Sequence, residues 1–180
     1  YNDLSPYVTF SDQRNFFSGN PNLNPEFTDS YELGHILYRE KSTLFSTVYY
    51  RSTQDKIQRI RTVGDNGFSV TAPYNLVGEE SYGLEFSGDY VASSWWKLDF
   101  NANFFYAKVD GSNLNQNFQA TTTSMLFRQS SRFTLPKGWD LQVRGNYEAR
   151  RKTAQGVQKG IFFLDLSASK KILNQRGTLI

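Results

Sequence analysis

The chain has 180 residues, of which 20 are basic and 17 acidic, and its formal net charge is +3. There is no cysteine and only one histidine, which excludes disulfide scaffolds, thiolate metal sites and histidine metal clusters. The small and evenly spread charge argues against nucleic acid as a partner. Aromatic residues make up 16% of the chain although its mean hydropathy is −0.56. Disordered chains are poor in aromatic residues, so this pairing calls for a fold that is both polar and aromatic.

Apolar and polar residues alternate along most of the chain, and a period of two predicts β-strands. In chain order, seven strands are predicted over residues 30–39, 43–55, 82–90, 96–106, 121–135, 139–148 and 162–169, and an eighth begins at Thr178. Turn-forming residues predict short connections near 40–42, 92–94, 136–138 and 174–177. Longer polar connections are predicted between them, over residues 58–75, 108–119 and 150–159. Alternating short and long connections are typical of an up-and-down barrel.

Most predicted strands have one apolar, aromatic face and one polar face. The strand from Trp96 is the clearest example, with apolar residues at Trp96, Leu98, Phe100, Ala102, Phe104 and Tyr106. The strands over residues 30–39 and 43–55 carry apolar residues on both faces, so the register before residue 60 is left open. Lipid contacts only one face of a barrel wall, so every second residue can be polar, and aromatic side chains collect at both membrane interfaces. Residues suited to these interfaces lie near predicted strand ends, at Tyr90, Tyr106, Trp139 and Tyr147. The sequence therefore predicts an all-β fold, built from antiparallel up-and-down strands of a transmembrane β-barrel.

A segment near the start of the chain carries a more specific signal. Its residues Gly19, Asn20, Pro21, Leu23, Pro25 and Glu26 are followed by Tyr31, Glu32, Leu33 and Gly34. This arrangement resembles the motif "GNPNLxPE…YELG", which opens a barrel strand in TonB-dependent outer-membrane receptors. Weaker matches extend the resemblance along nearly all of the chain, in the style of the Bacteroidetes-type receptors and the outer-membrane β-barrel branch near the SusC-like transporters. His35 departs from the family pattern, where an aromatic residue is usual.

The motif residues are expected to be architectural. Proline restricts its own backbone and that of the preceding residue, which suits an extended or turning lead-in to a strand. Glu26 is expected to accept hydrogen bonds that fix this lead-in to the barrel rim.

The resemblance implies a 22-stranded barrel with a plug in its lumen, of which this chain supplies seven to eight strands from the C-terminal third. Residues 1–27 are then an extracellular loop and strand lead-in, residues 28–180 are barrel hairpins, and the plug domain is absent. Nine charged side chains are predicted to face the lumen: Glu85, Asp89, Lys97, Asp99, Arg128, Arg132, Asp140, Arg144 and Glu148. Cross-strand ion pairs among them are one interpretation. Contact with the plug or with a permeating ligand is the other.

The implied function is the wall of a receptor for energy-coupled nutrient uptake in the bacterial outer membrane. Its implied partners are outer-membrane lipid, the rest of the barrel and plug, and the TonB complex through the missing N-terminal part. A SusD-like surface lipoprotein is a further partner that the resemblance allows. Four loop residues are candidates for substrate contact: Phe68, Tyr74, Asn75 and Phe118.

Two other classes of function are open. One is a secreted β-sandwich that binds glycans, in which the apolar strand faces would form a buried core. The other is an outer-membrane enzyme, which the single histidine makes the weakest hypothesis. No catalytic motif, cofactor motif or metal-binding spacing is present, so no catalytic, cofactor or metal residues are predicted.

Overall fold

The computed structural model describes residues 2–114, 118–172 and 177–179 of the chain. The strands in these residues are β1 (Val8–Phe10), β2 (Asn15–Ser18), β3 (Phe27–Arg39), β4 (Ser42–Gln54), β5 (Ile57–Val63), β6 (Ser69–Asn75), β7 (Gly78–Ser93), β8 (Trp96–Asp110), β9 (Ala120–Leu135), β10 (Trp139–Glu148), β11 (Arg151–Thr153), β12 (Gly156–Gln158), β13 (Ile161–Ile172) and β14 (Gly177–Leu179). Two short 3₁₀ turns cover Asn2–Leu4 and Pro136–Gly138. None of the described residues forms a helix long and apolar enough to cross a membrane.

Eight strands form one antiparallel sheet, which we call the wall. Its order is β14-β13-β10-β9-β8-β7-β4-β3, so every wall strand pairs with the wall strand before and after it in the chain. These are the eight predicted strands, and the predicted up-and-down β fold is confirmed. Several strands are longer than predicted, because β7 begins at Gly78 and β8 continues to Asp110. The predicted turn at 174–177 falls mostly on residues 173–176, which lie outside the described part of the chain.

A second sheet lies outside the wall, with the order β1-β2-β6-β5, in which β1 and β2 precede the wall and β5 and β6 connect β4 to β7. This sheet was not predicted from the sequence, because the polar residues 58–75 indicate a connection without strands. They form most of the β5–β6 hairpin instead, and β6 pairs in parallel with β2 from the segment before the wall. A third, two-stranded hairpin, β11-β12, occupies the connection predicted over 150–159. The long connections therefore carry structure of their own, and we call them together the loop cap.

Strand pairing settles which side chains share a face of the wall. Tyr31 lies opposite Tyr50, and Leu33 lies opposite Val48. Opposed residues of an antiparallel pair point to the same side, so the register left open before residue 60 is resolved with these four on the apolar face. The apolar face is largely uncovered, since Leu33 is 76% exposed and Leu166 is 74% exposed. A β-sandwich would bury this face under a second sheet, and none of the described residues covers it in that way.

Aromatic rings border the apolar face at both ends. Near the loop cap, the rings of Tyr82 and Tyr106 stack with centroids 4.9 Å apart. Near the tight turns, the rings of Trp96 and Phe133 stack at 5.9 Å. Trp96 is the first residue of β8, and Tyr106 lies four residues before its other end, Asp110. The ten steps between them span about 34 Å, and a strand tilt of about 40° projects this to about 26 Å, close to the height of the apolar band of outer-membrane barrels.

A substitution at Gly83 tests how tightly the wall is packed. A Cβ atom at Gly83 would lie 2.5 Å from the carbonyl oxygen of Phe104 and 2.7 Å from the hydroxyl oxygen of Tyr49. We expect Gly83→Ala to lower the free energy of unfolding of the full-length barrel by about 1–3 kcal/mol, the usual cost of overpacking. Urea titration of the protein folded in lipid vesicles measures this.

Gly145→Ala is the matched control, because the nearest atom to its Cβ would be the side-chain Oε1 of Gln129 at 3.8 Å. We expect this variant to be neutral, or more stable by up to about 1 kcal/mol, because alanine lowers the entropy of the unfolded chain. Equal losses in the two variants would contradict the close packing at Gly83.

Candidate functional site

The predicted motif forms a strap between the wall and the loop cap. Gly19 is buried against backbone, and a Cβ atom there would lie 2.6 Å from the carbonyl oxygen of Asn2. The backbone N–H of Asn20 donates to the carbonyl oxygen of Asp3 at 2.7 Å, and its side-chain Nδ2 donates to the carbonyl oxygen of Pro73 at 3.2 Å. The strap is therefore held on one side by the N-terminal turn and on the other by β6.

The second half of the strap is held by two polar side chains. Asn75 accepts a hydrogen bond from the backbone N–H of Asn24 at 2.9 Å and donates back to its carbonyl oxygen at 3.1 Å. Glu26 accepts a hydrogen bond from the backbone N–H of Ile57 at 2.7 Å and lies 3.6 Å from the Lys56 ammonium. These contacts fix the lead-in at the start of the first wall strand. Pro21 lies in the turn of the strap, Leu23 is half-buried, and Pro25 directly precedes Glu26.

The remaining motif residues lie within β3. Tyr31 and Leu33 point to the apolar face, whereas Glu32 and Gly34 point to the opposite, polar face. Glu32 forms an ion pair of 2.7 Å with Arg51 on the neighbouring strand. His35 lies on the apolar face opposite Ser46 and is exposed.

All nine predicted lumen charges lie on the polar face. Strand pairing shows this, because opposed residues point to the same side of the sheet. For example, Glu85 lies opposite Asn103, Asp140 opposite Thr134, and Glu148 opposite Leu126. An open concavity of about 450 Å³ lies on the wall near Asp99 and Arg128. The other residues that line it are Phe100, Asn101, Gln129, Ser130, Arg144, Gly145, Asn146 and Asp165.

The nine predicted charges do not neutralise one another in pairs, in contrast to Glu32 and Arg51 on the same face. Asp89 lies directly opposite Asp99, and Lys97 lies directly opposite Arg132. Like charges in directly opposed positions destabilise a sheet. Among the described residues, none of the nine charges approaches an opposite charge within 4 Å, so the predicted cross-strand ion pairs are not formed.

Several of these charges bind neutral polar groups instead. Glu85 accepts from the Nδ2 of Asn101 at 3.0 Å, and Asp140 accepts from the hydroxyl of Thr134 at 3.0 Å. The Arg128 guanidinium donates to the Oδ1 of Asn146 at 3.2 Å. Such contacts orient the charges without neutralising them.

The four loop residues predicted to contact substrate divide into two groups. Phe118 is only 8% exposed and packs on Gly111 near the fully buried Leu76, and Asn75 is committed to the strap. Both are therefore structural. Phe68 and Tyr74 remain exposed, and the Phe68 ring lies 5.6 Å from that of Phe16. In the described part of the chain, no group of three or more His, Asp or Glu residues is arranged to hold a metal ion.

Comparison with known proteins agrees with this architecture. The family model for the outer membrane protein beta-barrel family matches residues 1–180. The structure resembles that of the copper transporter OprC with a TM-score of 0.63 and 17% sequence identity, over 86% of this chain and 25% of that one. A match to the siderophore receptor PirA from Pseudomonas aeruginosa has a TM-score of 0.46 and 16% identity, over 93% of this chain and 36% of that one. No curated protein sequence matches.

The chain thus spans about a quarter of the length of the copper transporter, and at this identity the likeness shows a shared fold. The family match covers the whole chain, all three sheets included. The exposed apolar face bordered by aromatic rings is the surface that such a barrel turns toward lipid. The chain therefore belongs to the outer membrane protein beta-barrel family, and its place is the bacterial outer membrane.

Proposed function

We propose that the chain is a barrel-wall segment of a TonB-dependent outer-membrane receptor, which imports a scarce nutrient with energy from the inner membrane and is not an enzyme. The strap motif and the likeness to a structure named as a transporter support this. The observation that carries the proposal is the contrast between the two wall faces. One face is apolar and exposed, and the other bears the nine predicted charges, which have no ion-pair partner within 4 Å among the described residues.

The unpaired charges give the polar face a role beyond lining a water-filled pore. The Asp89–Asp99 and Lys97–Arg132 oppositions each weaken the wall. Opposite charges on a plug inside the lumen would compensate both. In this proposal the polar face is the lumen side of a 22-stranded barrel, and the plug carries a cation near the aspartates and a carboxylate near Lys97 and Arg132.

The loop cap and residues 1–27 then face the outside of the cell, because they lie at the end of the wall with the long connections. Residues 28–180 supply the barrel hairpins. The TonB complex would contact the receptor through a segment outside this chain. A receptor of the Bacteroidetes type, near the SusC-like branch, would also bind a SusD-like surface lipoprotein.

The direct test uses the full-length protein and the purified periplasmic domain of TonB. We expect the membrane fraction to contain the protein, with heat-modifiable migration on a gel, and the TonB domain to retain it in a pull-down. A correctly folded barrel that TonB does not retain would contradict the receptor assignment and leave the barrel fold intact.

Lys97→Glu tests the proposed contact with a plug. The substitution places a carboxylate opposite Arg132, so the wall by itself should gain about 0.2–1 kcal/mol. If Lys97 binds a carboxylate on the plug, the substituted glutamate repels that carboxylate and weakens the contact between plug and wall. Large molecules then pass the barrel more easily, and cells become several-fold more sensitive to a large antibiotic such as vancomycin. Growth inhibition of cells that carry the full-length variant measures this.

Lys41→Glu is the matched control, because it makes the same charge change in the exposed turn between β3 and β4. We expect its sensitivity to equal that of the unaltered receptor. A Lys97→Glu barrel that is more stable, with unchanged sensitivity, would show that Lys97 is merely solvated.

A further inference from the structure

The second sheet carries a cationic cleft that the wall does not need for its own pairing. We call it the Arg61 cleft and define it by Asn15, Phe17, Arg59, Arg61 and Thr71. Register places Phe17, Thr71 and Arg61 in one row across β2, β6 and β5, with their side chains on the same face. The cleft has a volume of about 350 Å³, and Ser11, Asp12 and Phe16 complete its lining.

The backbone of Arg61 is fixed from outside its own sheet. β5 is an edge strand, and Gln155, in the turn between β11 and β12, pairs with that edge. The backbone N–H of Arg61 donates to the Oε1 of Gln155 at 3.0 Å, and the Nε2 of Gln155 donates to the carbonyl oxygen of Arg61 at 2.8 Å. This reciprocal pair blocks a free strand edge and holds Arg61 at a set height in the cleft.

The side chain of Arg61 is held by a neutral group. Its guanidinium donates to the Oδ1 of Asn15, which also accepts from the hydroxyl of Ser69. Asn15 is fixed in turn, because its Nδ2 donates to both carboxylate oxygens of Asp12, at 2.8 and 2.7 Å. The guanidinium is therefore oriented without being neutralised.

The two carboxylates nearest Arg61 bind other groups of the cleft and its surroundings. Asp3 forms an ion pair with Arg59 at 2.9 Å. Asp12 accepts from the backbone N–H of Arg14 at 2.8 Å and from the amide of Asn15, and these bonds hold its pKa below the usual value, with a smaller contribution from the Arg61 charge. Within the described residues, no carboxylate lies within 4 Å of the Arg61 guanidinium.

The rest of the cleft suits a ligand with a ring or chain next to an acidic group. The Phe17 ring lies below the Arg59 guanidinium, 5.0 Å from its central carbon, and forms an apolar floor. Thr71 adds a hydroxyl in the same row. A guanidinium offers five donors in a planar fork that matches a carboxylate bidentately, and the Asn15 bond uses only one of them.

We propose that the Arg61 cleft is a subsite for the carboxylate of an acidic ligand, captured on the outer side of the receptor. The proposal rests on the proposed function only in calling the protein a receptor, because the residues that line the cleft all lie in the second sheet or in the turn between β1 and β2. An acidic sugar and a small polycarboxylate share this chemistry, and the experiment separates them.

The test measures binding to the full-length protein in detergent by isothermal titration calorimetry. The probes are trigalacturonic acid, its methyl ester, and citrate. We expect at least one of the two acids to bind, and Arg61→Gln to weaken that binding by about tenfold or more, because a charge-assisted hydrogen bond is lost. The ester should bind the unaltered protein no better than the acid binds Arg61→Gln. Binding of only one acid identifies the source of the carboxylate.

Arg14→Gln is the matched control, since it removes the same charge from the neighbouring turn outside the cleft. Its affinity for the acid should stay within about twofold of the unaltered protein. Equal losses in the two variants, or no binding of either acid, would overturn the proposal. Heat-modifiable migration confirms that each variant is folded. Because the titration contains no TonB domain, its outcome is independent of the TonB pull-down.

Discussion

Replacing Phe86 by arginine is expected to lower the free energy of unfolding of the full-length barrel by about 2–4 kcal/mol. Phe86 lies on the apolar face of β7, midway between Tyr82 and Tyr90 along the strand. If these tyrosines mark the two membrane interfaces, the substituted guanidinium would lie near the centre of the lipid. It could reach water only by distorting the bilayer or its own strand. The loss should therefore approach the upper end of the range for lipid-facing positions.

Ser87→Arg is the control, because Ser87 is the next residue of the same strand and points to the polar face, opposite Asn101. Substitutions on the lumen side of a barrel change selectivity more than stability, so we expect a change below about 1 kcal/mol. Urea titration in lipid vesicles, followed by heat-modifiable migration, gives both values. A larger loss for Ser87→Arg than for Phe86→Arg would reverse the assignment of the two faces.

The wall could be predicted from the sequence because the bilayer imposes a local rule. Where lipid lies on one side, every second residue must be apolar, and β8 obeys this from Trp96 to Tyr106. The same rule predicted which charges share a face. The rule did not show which face of β3 and β4 is the apolar one, because the polar faces of these strands also carry aromatic residues such as Tyr38 and Tyr49. Strand pairing was needed to decide this.

The loop cap could not be predicted, because its stability comes from contacts between distant segments. Ile60 is 1% exposed, yet Arg59 and Arg61 flank it, so the local pattern is that of a polar loop. The role of Asn75 was missed for the same reason, since its partner Asn24 is 51 residues away in the chain. Strand alternation reports on burial next to lipid and contains no information about such contacts.

The like-charge oppositions on the polar face required the register as well as the strands. Whether Asp89 meets Asp99 depends on the turn between β7 and β8, where the register shifts between Val91 and Ser93. Alternation places both carboxylates on one face but says nothing about their offset. A one-residue slip along either strand would have moved a whole row to the opposite face. The sequence thus supported cross-strand ion pairs among the nine charges, and the described residues form none of these.

Asn75→Ala is expected to release the strap from the loop cap. The Asn75 side chain makes three hydrogen bonds: it accepts from the N–H of Asn24, donates to the carbonyl oxygen of Asn24, and donates to the carbonyl oxygen of Asp55 at 2.7 Å. At about 1 kcal/mol each, their loss should reduce the free energy of local opening by about 2–3 kcal/mol. Hydrogen exchange at the Asn24 amide of the full-length protein should then accelerate by about 30- to 150-fold.

Asn113→Ala provides the graded control, because its Nδ2 makes a single bond to the same site, donating to the carbonyl oxygen of Asn75 at 2.8 Å. We expect a cost of about 1 kcal/mol, and hence an acceleration of about fivefold at the Asn24 amide. The wall strands should keep their protection in both variants, since neither side chain reaches the wall pairing. If Asn75→Ala accelerated exchange no more than Asn113→Ala, Glu26 and Asn20 would be sufficient to hold the strap, and the three bonds of Asn75 would add nothing to them.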